Sequence, residues 1–409
     1  MAGGNLEPVL HRGREQRGDD ATAKIGLATE RLRRVIGRHG DGEGPLVVVV
    51  GGMHGNEPGG FEALERVCAN LEELALVPRG RLLALGGNLE ALALGTRFIE
   101  RDLNRAFTNE GLALARATAP QERDAEQREL IELVDLIAAE IASSPHPTLL
   151  LDLHSTSAAG APFALMGDTL GNRAIALQLE MPVILGLEES VQGTLLSWFG
   201  ERGHGAVGVE GGQHLHPDTN RHQEAAVWLT LVATGLLHED QLPWLDEQRR
   251  VLRRVTAGLP RFVAVQHRHG LQDGHRFRMA PGFANFDAVR RGALLAHEGE
   301  REVRAPFGGH VLLPLYQGKG NDGFFIGRRV RPFWLRLSRG LRGMRLERFL
   351  SLLPGVSPDP ERPDGLLVDR RIARLRALDL FHLLGYWRAG EDGAVLRVAR
   401  RREGSVFRR

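Results

Sequence analysis

The sequence predicts a layered α/β domain over residues 1–245, a smaller β-rich domain over 260–330 and a basic C-terminal extension, 331–409. Three observations carry this. Apolar runs, several of them β-branched and closed by glycine, recur through the first 240 residues. Segments with apolar residues at three-to-four spacing lie between those runs. After about residue 260 short apolar runs alternate with glycines, as in "GALLAHEGEREVRAPFGGHVLLPLYQGKGNDGFFIG".

Each element has its own justification. "PLVVVV" (45–50) reads as a buried strand whose tip opens into the loop "GGMHGNEPGG". Gly60 to about Leu74 predicts a helix, with Phe61, Leu64, Val67 and Leu71 at helical spacing. "GRLLALGG" (80–87) is another short strand. Residues 120–143 predict a long amphipathic helix, with proline near the start and acidic residues early. "PTLLLDLHST" (147–156) is a strand running into a polar tip. "APFALMG", "MPVILG" and "GAVGVEGG" read as further strands, and 222–238 as a closing helix. Strands alternating with helices make a layered α/β domain.

Composition bounds the function. Apolar residues make up 42% and charged residues 25%, which suits an ordinary soluble globular protein. The single cysteine, Cys68, excludes an intrachain disulfide and a Cys-rich metal site. "MAGGNLEPVLHRGREQRGDD" has no apolar stretch of signal-peptide length, and no window approaches the roughly 18 apolar residues of a membrane span. A cytoplasmic location is the expectation. Net charge is +2 but uneven: 328–409 holds 20 Arg against 9 Asp or Glu, while the preceding residues hold 33 basic and 42 acidic groups. That asymmetry fits a nucleic-acid or membrane arm, or an arm that docks on the protein's own acidic body. The tail's many Leu, Phe and Trp residues favour docking.

Chemistry concentrates where strands end. His54 and Glu57 follow the first strand, His154 follows "LLLDL", and Glu210 follows "VGV". Two imidazoles and a carboxylate at strand tips suit Zn²⁺, which accepts N and O donors tetrahedrally. The spacing alone decides little, because His297 and Glu300 reproduce it without that setting. The loop glycines are expected to let the backbone bend closely around an ion. In "TRFIERDLNRAF" (96–107), Asp102, Asn104 and Arg105 are expected on one side of an extended stretch. A guanidinium beside an amide makes a receptor for a substrate carboxylate. The glycine-rich loop lacks the lysine and hydroxyl of a phosphate loop, and no G-x-S-x-G is present.

"GGMHGNE", "TRF…DLNRAF", "DLHST" and "GVEGG" appear in an order and spacing that resemble the succinylglutamate desuccinylase/aspartoacylase family of zinc-dependent amidohydrolases, itself related to the zinc carboxypeptidases. The resemblance covers about 34–240, with a weaker echo in 289–330. It implies a zinc-carboxypeptidase-like layer with a central mixed sheet and one zinc ion per chain. It implies His54, Glu57 and His154 as ligands, Glu210 as general base and acid, and Arg97 as the group polarising the scissile carbonyl. It further implies Asn104 and Arg105 on the substrate carboxylate, Asp102 orienting a ligand histidine, and Tyr316 reaching into the pocket from the second domain. Lys319 and Asn321–Asp322 read as a plain turn, and His204, His214 and His216 as exposed loop histidines.

The expected reaction is hydrolysis of the amide bond of a small-molecule N-acyl amino acid. A zinc carboxypeptidase acting on peptide C-termini is the first alternative. A nucleic-acid- or membrane-binding module using 331–409 is the second. The tail has no counterpart in the family pattern and leaves a homo-oligomer among the expected assemblies.

Overall fold

The computed structural model describes residues 26–271, 276–344, 346–372 and 381–403; the polar stretch 1–20 lies outside them. Within these, eight strands and eight α-helices build the first part of the chain, as far as Gly270. The strands are β1 (Val35–His39), β2 (Leu46–Gly51), β3 (Arg81–Gly86), β4 (Thr148–Thr156), β5 (Phe163–Met166), β6 (Val183–Leu185), β7 (Gly205–Gln213) and β8 (Phe262–Gly270). The helices are α1 (Gly59–Glu73), α2 (Leu89–Leu94), α3 (Asn109–Ala117), α4 (Ala125–Ala142), α5 (Leu170–Ala176), α6 (Leu195–Glu201), α7 (Pro217–Ala233) and α8 (Leu245–Val255).

The central sheet has eleven strands in the order β1-β3-β2-β4-β7-β5-β6-β8, continued by Asp322–Arg329, Gly309–Leu312 and Ala288–Val289. It is mixed: β3, β2, β4 and β7 run parallel, while β1 and β5 are antiparallel to their neighbours β3 and β7. Parallel strands need cover on both faces. Accordingly every residue of β2 and β4 is buried. Val47 and Val49 pack in one core with Phe61, Leu64 and Val67 of α1. Val48 and Val50 pack in a second with Leu130, Leu133 and Ile137 of α4. The valine run is thus buried on both faces. A capping box starts α4: the Asp124 side chain accepts from the Gln127 N–H, and the Gln127 side chain accepts from the Asp124 N–H.

Four strands from the region beyond 260 extend this sheet, so its β-rich part is joined to the α/β layer by continuous hydrogen bonding. A separate three-stranded sheet (Arg301–Arg304, Leu294–Glu298, Phe277–Met279) covers a small core containing Leu295, Val311 and Phe324. The tail forms a helix, Pro332–Gly343, and a four-stranded antiparallel sheet. Its own core holds Val368, Phe381, Tyr386 and Val398. Two of its arginines meet acidic residues of the body. Arg342 reaches Asp168 Oδ2 at 2.8 Å and the Asp168 carbonyl at 2.7 Å, and Arg401 pairs with Glu188 and Glu189. No helix among the described residues is long and apolar enough to cross a membrane.

Candidate active site

The loop after β2 owes its shape to glycine. Gly52 sits at φ +77, in the left-handed region that favours glycine. A Cβ on Gly51 would overlap the backbone of Gly60 in α1, and one on Gly55 would overlap the backbone of Ala91 in α2. The glycines therefore seat the loop against two helices. Close packing, rather than bending around an ion, is their reason.

That seating presents His54 and Glu57 to His154 at the end of β4. All three are buried, and one ligand atom from each lies within 4.8 Å of the others. His54 Nδ1 is 2.9 Å from Glu57 Oε1, and His154 Nδ1 is 3.2 Å from Glu57 Oε2. The outer nitrogens face other carboxylates: His54 Nε2 lies 3.1 Å from Asp102 Oδ1, and His154 Nε2 lies 3.0 Å from Asp152 Oδ2. An ionised carboxylate only accepts, so each Nε2 donates outward; His54 Nε2 and Arg97 Nη2, 3.0 Å apart, share the Asp102 carboxylate. Each Nδ1 of a neutral ring is then an acceptor aimed at the acceptors of Glu57. Two such edges need protons or a cation between them. With protons there, Asp152 and Glu57 hold His154 well above its usual range against the opposing effect of burial. Burial alone would push Glu57 up, yet His54 and His154 outweigh it and hold the carboxyl well below. A divalent cation answers the same need, and two imidazoles plus one carboxylate with carboxylates behind them fit zinc.

Glu210 stands beside this cluster. It pairs across β4 and β7 with His154, lines the pocket and has one carboxylate oxygen buried without a hydrogen-bond partner among the described residues. Burial pushes its carboxyl up to about 8 against the pull of His154. Arg97 also lines the pocket. Its Nη2 donates to Asp102 Oδ2 at 2.9 Å, while its Nε is buried and unpartnered among the described residues.

Asp102, Asn104 and Arg105 come close together by a different route from the extended stretch expected, which would have put Asp102 and Asn104 on one side and the adjacent Arg105 on the other. Leu103–Arg105 is a 3₁₀ turn, started by the Asp102 side chain accepting from the Asn104 N–H at 3.0 Å. Asn104 and Arg105 line the pocket. Asn104 Oδ1 accepts from the Leu195 N–H at the start of α6 (2.9 Å). Arg105 Nη1 donates to the Asn104 carbonyl at 2.7 Å, and burial lowers its pKa.

Tyr316 is elsewhere. Its hydroxyl donates to the Ala280 carbonyl at 2.7 Å, the side chain is partly exposed, and it is not among the lining residues. Its neighbour Gln317 lines the pocket instead, accepting from Asn56 Nδ2 at 3.0 Å. Asp322 opens a strand, lines the pocket and bonds Arg268, so it is more than a turn residue. His214 is partly buried, with Nδ1 2.7 Å from Ser155 Oγ, whereas His216 is exposed. Asp152 was not among the residues expected at the site, although on a strand a residue two before His154 shares its face. Gln317 and Glu188, another lining carboxylate, have no such local signal. His297 pairs with Arg278 and Glu302 in the outer sheet, and among the described residues only His54, Glu57 and His154 form a candidate metal group.

Residues 43–229 match the model of the succinylglutamate desuccinylase/aspartoacylase catalytic domain. A succinylglutamate desuccinylase of Burkholderia lata is 26% identical over 270 residues, 62% of this chain and 70% of that protein. A probable aspartoacylase of a Nostoc species is 34% identical over 113 residues, 27% of this chain and 35% of that protein. Among solved structures, a succinylglutamate desuccinylase/aspartoacylase of Rhodobacter sphaeroides aligns with TM-score 0.53 at 19% identity, covering 73% of this chain and 88% of that one. An ectoine utilization protein of Ruegeria pomeroyi aligns with TM-score 0.52 at 20% identity, covering 71% and 87%. At such identities the structural likeness is one of fold. Through residues 43–229, just under half of its length, the chain is similar to the succinylglutamate desuccinylase/aspartoacylase family.

Proposed function

We propose that this chain is a zinc-dependent amidohydrolase that cleaves an N-acyl amino acid into a carboxylic acid and a free amino acid. One observation carries the reading: two histidines, each donating outward to its own carboxylate, turn their Nδ1 edges on Glu57 beside the unpartnered oxygen of Glu210. His54, Glu57 and His154 would hold the ion. When bound there, zinc supplies a Lewis acid that polarises a carbonyl and acidifies water. The remaining work falls to the protein. Glu210 takes a proton from the attacking water and returns it to the departing amine nitrogen as the C–N bond breaks. Arg97, with a free Nε–H, donates to the developing oxyanion. Arg105, steadied on the Asn104 carbonyl, binds the substrate carboxylate. Leu313, Pro314, Leu315 and Gln317 wall the pocket from the second region, which suits a small substrate better than a peptide.

The test pairs metal analysis with an N-acyl amino acid screen. His154→Ala should lose both bound zinc and turnover. Glu210→Gln should keep zinc while turnover falls by about 10² to 10⁴. Full zinc occupancy in His154→Ala, or turnover of peptides alone, would overturn the reading.

A further inference from the structure

The pocket carries one carboxylate that the proposed chemistry leaves unused. Glu57, Asp152 and Glu210 surround the candidate metal, and Asp322 is bonded to Arg268. Glu188 stands apart on the wall with Leu187 and Val191. Its side chain is only 6% exposed. Oε1 is held by Arg401, an arginine of the C-terminal extension, whereas Oε2 is buried with no partner among the described residues. Buried carboxylate oxygens are rarely left unpaired, and one on a residue of the pocket wall calls for a donor, which a ligand can bring. We propose that Glu188 forms a cation-recognition subsite that selects N-acyl amino acids whose side chain ends in an ammonium group; this rests on the N-acyl amino acid reading.

The division of labour between the two oxygens supports this. Arg401 also bonds Glu189 Oε1 at 2.8 Å, so its charge is shared between two carboxylates. Glu189 has a second partner in His382 Nε2 at 3.1 Å, whereas Arg401 is the one ion-pair partner of Glu188 among the described residues. Burial pushes the Glu188 carboxyl up to about 7, against the pull of Arg401 and with the repulsion of Glu189. A ligand ammonium would hold the carboxylate ionised and complete its hydrogen bonding at once. A hydroxyl would complete the bonding without the charge. Leu187 and Val191 offer apolar surface for the methylenes that carry the amine. Arg401 is a positioning residue here, fixing Oε1 and leaving Oε2 as the unpaired oxygen.

The experiment uses the zinc-loaded full chain and two near-isosteric pairs. Lysine and norleucine are compared for binding by calorimetry, and their Nα-acetyl derivatives for turnover. The lysine member should bind on the order of tenfold or more tightly, and its derivative should show a correspondingly lower KM. Glu188→Gln keeps the shape and an acceptor for Arg401; it should bring the two affinities together. Glu188→Asp should retain the sign of the preference. Equal or tighter binding of norleucine, or a lysine preference that survives in Glu188→Gln, overturns the subsite. Turnover of both derivatives without preference would sink this inference and leave the hydrolase reading standing. A lysine preference in binding that Glu188→Gln abolishes, with no Nα-acyl compound hydrolysed, would do the reverse.

Discussion

Asp152 shows how much one side chain behind a ligand decides. It is buried in β4, and its Oδ2 accepts from His154 Nε2 at 3.0 Å, which fixes the tautomer that turns Nδ1 inward. Asp102 does the same for His54 from a turn 48 residues downstream in the chain. Asp152→Asn should therefore weaken zinc binding by about 10- to 100-fold while leaving the three ligands in place. Competition with a chromophoric chelator measures this, and an unchanged affinity would remove Asp152 from the account. At this scale the sequence was informative where chemistry and chain position coincide. His54, Glu57, His154 and Glu210 all follow apolar runs, and they meet as expected of strand tips. Tyr316 was misplaced because nothing local distinguishes it from Gln317: only the bend of the segment decides which of the two turns inward.

Among elements, the strands and helices of the first 240 residues were legible because their apolar spacing is regular. The helix expected from Gly60 to about Leu74 runs Gly59–Glu73, and "PTLLLDLHST" yields Thr148–Thr156. The turn at Leu103–Arg105 was not legible, since its geometry comes from the Asp102 side chain bonding its own backbone, a local alternative to extended structure. The loop glycines were read correctly as necessary and wrongly as to cause. Gly55 faces the backbone of α2, where no side chain can yield, so Gly55→Ala should cost on the order of 1–3 kcal/mol or more. Gly340, inside the helix Pro332–Gly343, has open space around it. Gly340→Ala should instead be neutral or stabilise by up to about 1 kcal/mol. Thermal melts of the two variants should move apart; a matching fall in both would contradict the packing argument.

Across the whole molecule, several of the arginines after residue 328 find partners within the chain. Arg342 has a side chain only 2% exposed, and it joins Asp168 of the body to Glu403 and the His382 carbonyl of the tail. Arg401 and His382 meet Glu188 and Glu189, and Glu189 also accepts from the Arg388 N–H at 3.1 Å. Charge counting foresaw the docking alternative but not its address, because acidic residues of the body are spread over many surfaces and only the fold gathers Asp168, Glu188 and Glu189 under the tail. A buried charge network is held by its weakest member: removing one partner strands the others without water or counter-charge. Arg342→Ala should thus cost about 3–5 kcal/mol of docking stability, leaving Asp168 with Arg173 alone as its close cation. Hydrogen exchange should then quicken across Pro332–Gly343 and Val395–Arg400 while β2 and β4 keep their protection. Because Arg401 travels with the tail, undocking should also loosen the loop around Glu188 and raise exchange there. Rapid exchange confined to the site of substitution, with the tail and the Glu188 loop unchanged, would show that docking does not depend on this arginine.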